Sequence, residues 1–505
     1  MTDQYLFLFQ IGPVQSFIAA ARKTQDLYVG SRLLSVIAGA GAEAAHQAHW
    51  NMLFPVTMKG AAPQTTPHRF AFLSGDDPAA VAEHVAEALQ ARWMEIANAV
   101  SDYVFRAVGG GDWVDVFQRQ VNNWLEVHWV AVPYTGGHGE VFAAAGRALA
   151  MRRLSRTFAQ PSDDAPGAKK CTLTGAGRAL PLNWDALRRA IHDDPADPKF
   201  IRANEELSAL ALIKRLAQKV PSVSARLGDK VERFPDADYI AGGDGAREAG
   251  RGKELTSYLA ILHMDGDKMG KHLAGLQSAK AHQAFSSMLS RFAEVTVPKL
   301  VEKYPRAALV YAGGDDVLAL APLQTALNLA DDIRKAFKAE SEEIGEPLTM
   351  SAGIAAAPSN LPFDAVLQDA RLAEKTAKKK YDRDAVVIRE SHRSGQIREA
   401  GARWDHLDPI IHLQVLFAED ALSGKLGYDL LTEARWLAGD GLEDARKAEL
   451  GRLLKRRTGD GVHEAVRRDI ENLQGPLTEL GEKHSWEAMA NWVIVAHFLA
   501  KGGAR

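Results

Sequence analysis

The chain has 505 residues, room for three or four domains, with 46% hydrophobic and 25% charged residues, an ordinary balance for a globular protein. A formal net charge of -3 carries no global electrostatic signal for nucleic acid, so such a partner would have to be held by local basic patches or by neighbouring subunits. The single cysteine, Cys171, excludes an intramolecular disulfide framework and any all-cysteine zinc site.

No segment approaches the roughly 20 apolar residues of a membrane-spanning helix. The N-terminus runs from Met1-Thr2-Asp3-Gln4 straight into an apolar strand, without a basic leader or cleavage site. The expectation is a cytoplasmic protein with no membrane partner.

The first apolar run, Tyr5 to Gln10, reads as a buried strand ended by Gly12-Pro13. Pro13 suits a helix start, because its missing N–H would be unpaired there anyway. A long helical pattern from about Val14 to Ala48 follows. Extended runs at Met52–Val56 and Arg69–Leu73 come next, then a helix-rich stretch from Pro78 to Asn123. Leu125 to Val132 alternates like a strand, and a helix starts near Glu140. The order β-α-β-β-α-β is the ferredoxin-like pattern.

The same order recurs. Ser257–Met264 reads as a strand, His282–Lys303 as a helix, and Ala307–Ala312 and Val317–Leu320 as two strands joined by a tight polar turn. A helix over Gln324–Glu340, a strand over Leu348–Ala355, a helix over Phe363–Lys380 and a strand over Ala385–Arg389 complete the copy. This predicts a duplicated domain in which Ile11-Gly12-Pro13 sits where Asp265-Gly266-Asp267 sits in the second copy. Between the copies lie a polar loop, Pro161–Gly175, a helical region from Asp185 to Leu227, and a glycine-rich boundary, Gly242–Gly252. From Arg403 onward the pattern is helical, with apolar spacing in Ile411–Leu422 and Trp486–Leu499.

Gly313-Gly314-Asp315-Asp316 lies between two apolar strands. Glycines there permit the positive φ of a tight hairpin and let a phosphate approach the backbone. Asp315 and Asp316 offer hard oxygen ligands suited to Mg²⁺ or Mn²⁺. Asp265 and Asp267 end the neighbouring strand, so the two pairs are expected to converge on one edge of the sheet. Clustered carboxylates repel and raise each other's pKa unless a cation joins them. With two metals the set suits in-line attack of a ribose O3′ on an α-phosphorus. Lys378 could reach a triphosphate as a point charge, and Arg383 is a weaker group of the same kind; a solvated basic helix end reads equally well. Gly266, Gly313 and Gly314 would line the nucleotide.

Ile11-Gly12-Pro13-Val14-Gln15-Ser16-Phe17-Ile18, Ala21-Arg22-Lys23-Thr24-Gln25-Asp26-Leu27 and Gly30-Ser31 resemble the opening palm of the large subunit of type III CRISPR effector complexes in its Cmr (III-B) form. Asn204-Glu205-Glu206-Leu207 and Lys214-Arg215-Leu216 resemble that family's helical-domain signature, and Met264 to Gly270 with the Gly-Gly-Asp-Asp hairpin resembles its cyclase palm. Arg383-Asp384-Ala385-Val386 resembles the strand entry that closes that palm. The resemblance implies an α+β fold of two ferredoxin-like palms and two helical domains. Their expected ranges are residues 1–160, a first, degenerate palm; 161–250, a helical domain; 251–395, the second palm; and 396–505, a C-terminal helical domain. It also implies an enzyme: target RNA, paired to a CRISPR guide RNA held by sister subunits, would switch on conversion of ATP into cyclic oligoadenylates. Metal would be held by Asp265, Asp315 and Asp316, with Asp267 close by.

The chain departs from the family pattern in two places. Its first palm starts at residue 5, so the HD nuclease domain of many members is expected to be absent, and the lone His192-Asp193 lacks the further ligands a metal phosphohydrolase needs. Lys170-Cys171-Thr172-Leu173-Thr174-Gly175 resembles a zinc ribbon whose second cysteine is lost, so no structural zinc is expected and packing must hold the loop. His46 and His49 read as structural. Arg152, Arg153 and Arg156 form a basic patch that suits RNA or plain solvated surface. Two other readings compete: a scaffold that only helps bind guide and target RNA, and a stand-alone cyclic-nucleotide synthase. The intact carboxylate set argues against the first, and the partner palm against the second.

Overall fold

The computed structural model describes residues 4–56, 66–155, 167–191, 200–228, 234–242, 258–392 and 394–503. The chain gathers into two compact units, one of residues 1–236, 268–295 and 310–314, the other of residues 237–267, 296–309 and 315–505. The expected Arg156 and His192-Asp193, and all of Gly242–Gly252 but its first residue, lie outside the described residues.

A four-stranded antiparallel sheet is built from β1 (Tyr5–Gly12), β2 (Asn51–Phe54), β3 (Arg69–Ser74) and β4 (Glu126–Pro133), in the order β2-β3-β1-β4. Alternation along β1 splits its side chains between two cores. Leu6 and Leu8, with Ala71 and Leu73, pack on Val141, Phe142, Ala145 and Leu149 of helix His138–Leu154. Phe7 and Phe9 stack on Phe72 and Phe70 across the strand pair at 5.1 and 5.2 Å. Both faces are covered, which is why β1 reads as a continuous apolar run. Helix Pro78–Val108 begins with Asp77 accepting from the Ala80 N–H and Pro78 in the first turn, and stops at Gly109 with φ 77°.

The second sheet has six strands: β5 (Tyr258–Gly266), β6 (Ala308–Gly313), β7 (Asp316–Pro322), β8 (Met350–Pro358), β9 (Ala385–Ser391) and β10 (Ile397–Arg403). Their order is β10-β9-β8-β5-β7-β6. Its β8-β5-β7-β6 part repeats the first sheet's arrangement, with the first strand of the copy between its third and fourth. β9 then adds in parallel to β8, and β10 antiparallel to β9. The two sheets and their helices give the α+β class that the sequence predicts. Helix Phe363–Lys380 packs on β8, β9 and β5, and helix Leu323–Glu343 on β5, β7 and β8. In the C-terminal region helix Trp486–Ala500 packs on helices Leu407–Ala418, Lys425–Trp436 and Gln474–Lys483 and on β10. Among the described residues no helix is long and apolar enough to cross a membrane.

Several elements differ from expectation. The helical pattern Val14–Ala48 is two helices, Gln15–Ala19 and Thr24–Gln47. The expected helix His282–Lys303 begins earlier, at Ala279, where Ser278 accepts from the Ala281 N–H. It passes through a π turn, Phe292–Thr296, before Val297–Glu302, where Pro298 lacks the N–H that a continuous helix would use. β10 was not anticipated, because Ile397-Arg-Glu-Ala-Gly-Ala-Arg403 has little β-branched or aromatic character.

The first unit holds a buried ion network that joins Asp26 of the first palm's opening motif to Glu205 and Arg215 of the helical-domain signature. Arg215 donates to both oxygens of Asp26, at 2.8 and 3.0 Å, and to Glu205 at 2.8 Å, with all three nearly inaccessible. Asp26 also accepts from the Arg22 and Lys23 N–H groups, capping helix Thr24–Gln47. Beside it Lys214 donates to the carbonyls of Phe17 and Ala20. Burial pushes the Asp26 carboxyl up, but the Arg215 guanidinium outweighs it and holds the group below the usual carboxylate range. A lowered carboxylate contributes stability above its unfolded pKa and loses it as pH falls through the folded value. Arg215→Ala leaves two buried carboxylates without their cation. It is expected to cost about 3–5 kcal/mol in urea denaturation at pH 7, with the deficit shrinking on acidification.

Candidate active site

β6 and β7 are joined by the two-residue turn Gly314-Asp315, with β6 ending at Gly313 and β7 starting at Asp316. Gly314 has φ 71° and Asp315 is not among the positive-φ residues, the pattern of a type II′ hairpin turn. Gly313 is needed for a different reason: a Cβ there would stand 1.7 Å from the Tyr311 hydroxyl. β5 pairs with β7 as far as Met264↔Val317, and one further step along that register sets Asp265 opposite Asp316. Like charges directly across a strand pair repel.

The electrostatics record that repulsion. Burial, then Asp265, then Asp316 push the Asp315 carboxyl up to about 7. Burial, then Asp265, push Asp316 up to about 7, with Glu374 adding to it. Cations come from helix Phe363–Lys380, whose Arg371, Glu374 and Lys378 lie on one stripe at spacings of three and four. The Lys378 ammonium donates to Asp265 Oδ2 and to the Gly266 carbonyl at 3.3 Å, and pairs with Glu374 at 2.8 Å. Burial would lower its pKa, but Asp265 and Glu374 raise it above the ordinary lysine value, so it is charged at neutral pH. His263 Nε2 lies 3.7 Å from Asp316 Oδ1; burial pushes the imidazole down to about 4, so at pH 7 this contact is not an ion pair.

These residues have the hard oxygen donors that suit a divalent cation. Asp316 Oδ1 is buried with no hydrogen-bond donor, and three carboxylates share a corner whose charge one lysine, assisted by Arg371, only partly balances. Among the described residues no three His, Cys, Asp or Glu side chains stand together at metal-ligand spacing. Lys378 supplies compensating charge at Asp265.

Asp267 is differently placed from the expectation that it stands with the metal set. It is 3% exposed, and both of its oxygens are engaged inside the protein: Oδ1 accepts from the Ser351 hydroxyl at 2.8 Å, Oδ2 from the Thr349 hydroxyl at 2.8 Å and the Asp384 N–H at 2.9 Å. Asp384 belongs to an unusual turn after helix Phe363–Lys380. Asp382, Arg383 and Asp384 have φ of 52°, 68° and 45°, three successive left-handed residues with no glycine, each costing about 1–2 kcal/mol. The turn is held by Arg383 N–H donating to the Ala377 carbonyl and Trp404 N–H to the Asp384 carbonyl. The Arg383 guanidinium lies partly exposed, 3.9 Å from Asp382, and is not drawn into the carboxylate corner.

Sequence reasoning missed His263, Glu374 and Arg371, whose only signal was spacing: His263 two residues before Asp265 on the same strand face, and Glu374 and Arg371 one and two turns before Lys378. It also missed Gly353. Gly353 pairs with His263 on β5, and a Cβ there would stand 2.0 Å from the Ala370 carbonyl oxygen and 2.2 Å from the Glu374 nitrogen. Only glycine lets the helix lie this close to the sheet.

The first copy shows what a palm without carboxylates has become, and the strand faces correct the expected alignment by one residue. Leu6 and Leu8 face helix His138–Leu154, so Gly12 lies on that face, as Asp265 lies on the face under helix Phe363–Lys380. Gly12 pairs with Glu126 and Asp265 with Ser351, each twelve residues ahead of the following helix. Gly12, not Ile11, therefore holds the place of Asp265, and Arg153 holds that of Lys378. Burial, then Arg69 and Arg153, push His68 down to about 4 beside this end of β3. Arg152 and Arg153 are exposed at the helix end. His46 and His49 are exposed at the end of helix Thr24–Gln47. The Cys171 loop is held by burial of Cys171, by its N–H to the Gly177 carbonyl and by Thr172 N–H to the Glu206 carbonyl.

Two ferredoxin-like sheets, one bearing an acidic hairpin beside a lysine-tipped helix, define a tandem palm protein. Residues 258–387 match the second palm domain of Cas10/Cmr2, and residues 6–98 match the N-terminal domain of the CRISPR-associated protein Cmr2. These two stretches are similar to the palm domains of Cmr-type large subunits. CRISPR system Cmr subunit Cmr2 of Pyrococcus furiosus is 28% identical over 258 residues, 45% of this chain and 29% of that protein's length. Among solved structures, the type III-B Cmr-beta complex bound to cognate target RNA holds a chain with TM-score 0.67 at 14% identity, covering 91% of this chain and 79% of that one. The apo Cmr-beta chain gives 0.66, covering 91% and 78%. The Csm1–Csm4 cassette in complex with cA4 gives 0.55 at 14% identity, covering 100% and 70%. At these identities the likeness is one of fold.

Gly353→Ala is expected to push helix Phe363–Lys380 off the sheet, since backbone atoms cannot turn aside as a side chain would. A loss of about 1–3 kcal/mol in urea denaturation is predicted. Unchanged stability would show that the helix can lift freely.

Proposed function

We propose that this chain is the large subunit of a type III CRISPR effector complex and that its second palm is a nucleotidyl cyclase joining ATP into cyclic oligoadenylates when guide-paired target RNA is bound. One observation carries the reading: Asp265, Asp315 and Asp316 are held in mutual repulsion at the tips of adjacent strands, within reach of Lys378. Such an arrangement costs stability and is useful when a cation and a triphosphate arrive. The similarity to the Cas10/Cmr2 second palm supports it, as do the fold neighbours solved with target RNA, cA4 and pppApA.

Asp265, Asp315 and Asp316 would hold Mg²⁺ or Mn²⁺, which supplies positive charge against the triphosphate and a ribose 3′-oxygen. Lys378, released from Asp265, is placed to meet phosphate oxygens as a point charge. The glycines of the hairpin leave the backbone open to a phosphate. Glu374 holds Lys378 from the other side, which limits how far the ammonium travels. Arg383 belongs to this reading only as an outer cation. Guide RNA, target RNA and sister subunits are the partners it implies, with Arg152 and Arg153 as basic surface available to RNA.

The test is ATP turnover by the assembled complex with Mg²⁺ or Mn²⁺, with and without target RNA, beside Asp315→Ala/Asp316→Ala, with products identified by mass spectrometry. Target-dependent product that falls by at least roughly 10²–10³-fold in the variant is expected. A complex that binds target RNA yet forms no nucleotide product would leave a scaffold.

The raised carboxyls also set a pH dependence. A carboxyl whose folded pKa lies above its unfolded value contributes stability that is complete below about 4 and is lost as pH rises through about 7. The metal-free protein is therefore expected to lose thermal stability from pH 4 to 7, with the loss abolished in Asp315→Asn/Asp316→Asn. Mn²⁺ affinity, measured by titration calorimetry, should climb at least about tenfold per unit up to pH 7 and level off above it.

A further inference from the structure

The sequence pairs Asp265 and Asp267 as one carboxylate motif, yet the structure gives them different neighbours. Asp265 faces Lys378 at the mouth of the acidic corner. Asp267 is buried, and its three hydrogen bonds go to Thr349, Ser351 and Asp384, none of them a member of the carboxylate set. Two of them reach the start of β8, through Thr349 and Ser351, and extend the β5–β8 ladder, to which the Asp267 N–H also donates through the Thr349 carbonyl at 2.9 Å. The third reaches the Asp384 N–H, the last of three left-handed residues.

That turn sits at a mechanically exposed place in the chain. It directly follows the helix end that carries Lys378, and it carries Arg383. Three successive non-glycine residues in the left-handed region do not persist without outside support. The Arg383 N–H is held by the helix itself and the Asp384 carbonyl by Trp404. The Asp384 N–H is held by Asp267, a residue of the strand that carries Asp265.

We propose that Asp267 is a positioning residue and not a metal ligand: its carboxylate latches the left-handed turn 382–384 to the β5–β8 edge, and so fixes Lys378 and Arg383 relative to Asp265. This rests on the nucleotidyl-transfer reading above for its activity readout only; the latch itself is measured without turnover.

Latch and ligand respond oppositely to a neutral isostere. An amide can still accept from the Asp384 N–H with its oxygen, while its NH₂ donates to the Ser351 hydroxyl oxygen; it is a poor substitute for a carboxylate on a divalent cation. In the full chain within its complex, Asp267→Asn is expected to keep Mn²⁺ affinity within about twofold of the unchanged protein. Hydrogen exchange at residues 382–384 should remain slow in that variant. Asp267→Ala should keep Mn²⁺ affinity but speed exchange of the Asp384 amide by at least about tenfold and raise KM for ATP more than it lowers kcat. Asp265→Asn, the reference for a ligand, should lose Mn²⁺ affinity and keep the slow exchange. If Asp267→Asn weakens Mn²⁺ as Asp265→Asn does, or if Asp267→Ala leaves Asp384 protected, the latch is wrong. If Asp265→Asn leaves Mn²⁺ binding intact and no variant or parent forms product, the nucleotidyl-transfer reading fails, and the exchange data alone decide the latch.

Discussion

Carboxylates placed across adjacent strands cannot all be charged without help, and the second palm is organised around that constraint. β5 must lie between β7 and β8 for Asp265 to meet the hairpin, and the split βαββαβ order is what puts it there. The hairpin must turn within two residues for Asp315 and Asp316 to stay at the tip, which calls for Gly314. The compensating lysine must come from a helix laid close over the sheet, which calls for Gly353. Strand order, turn type and helix approach are three requirements of one charge cluster.

The first unit solves its own charge problem differently. Asp26, Arg215 and Glu205 are buried as a closed ion set with every strong partner inside the protein. Such a set ties helix Thr24–Gln47 to the segment that carries Glu205 and Arg215. The acidic corner of the second palm is unclosed by comparison, with an orphaned carboxylate oxygen and carboxyls poised near neutrality. An internally satisfied network holds a fold together, whereas an unsatisfied one invites a ligand.

Much of this was legible in the sequence, for physical reasons. Continuous apolar runs of five to eight residues bounded by Gly, Pro and Asp report buried strands directly, and the strand order follows from the repeated βαββαβ pattern. The hairpin announced itself because glycine and aspartate side by side between apolar strands have few other uses. What stayed hidden depends on distance in three dimensions. Asp265 and Asp267 look alike in the chain and differ only in what surrounds them. Glu374 and His263 look like ordinary helix and strand residues until the fold brings them to Lys378 and Asp316. Gly353 lies in an alanine-rich strand where nothing in its neighbours marks it. β10 has too little β-forming character to be seen without β9 to pair with. The first copy's register was misjudged by one residue, because Gly12 and Gly266 match as letters while the pleat sets Gly12 against Asp265.

The close contact at Gly353 bears on how such a site can be governed. With helix backbone lying close on strand backbone at Gly353, Lys378 and Asp265 ride on one closely packed block. A shift of that helix toward the sheet at Gly353 would meet backbone repulsion at once. Control is left with the parts not locked in this way: the rotatable Lys378 side chain, the hairpin tip, and whatever approaches them from outside. A site built like this behaves as a fixed anvil, and any switch acting on it must work by delivery or by denial of access.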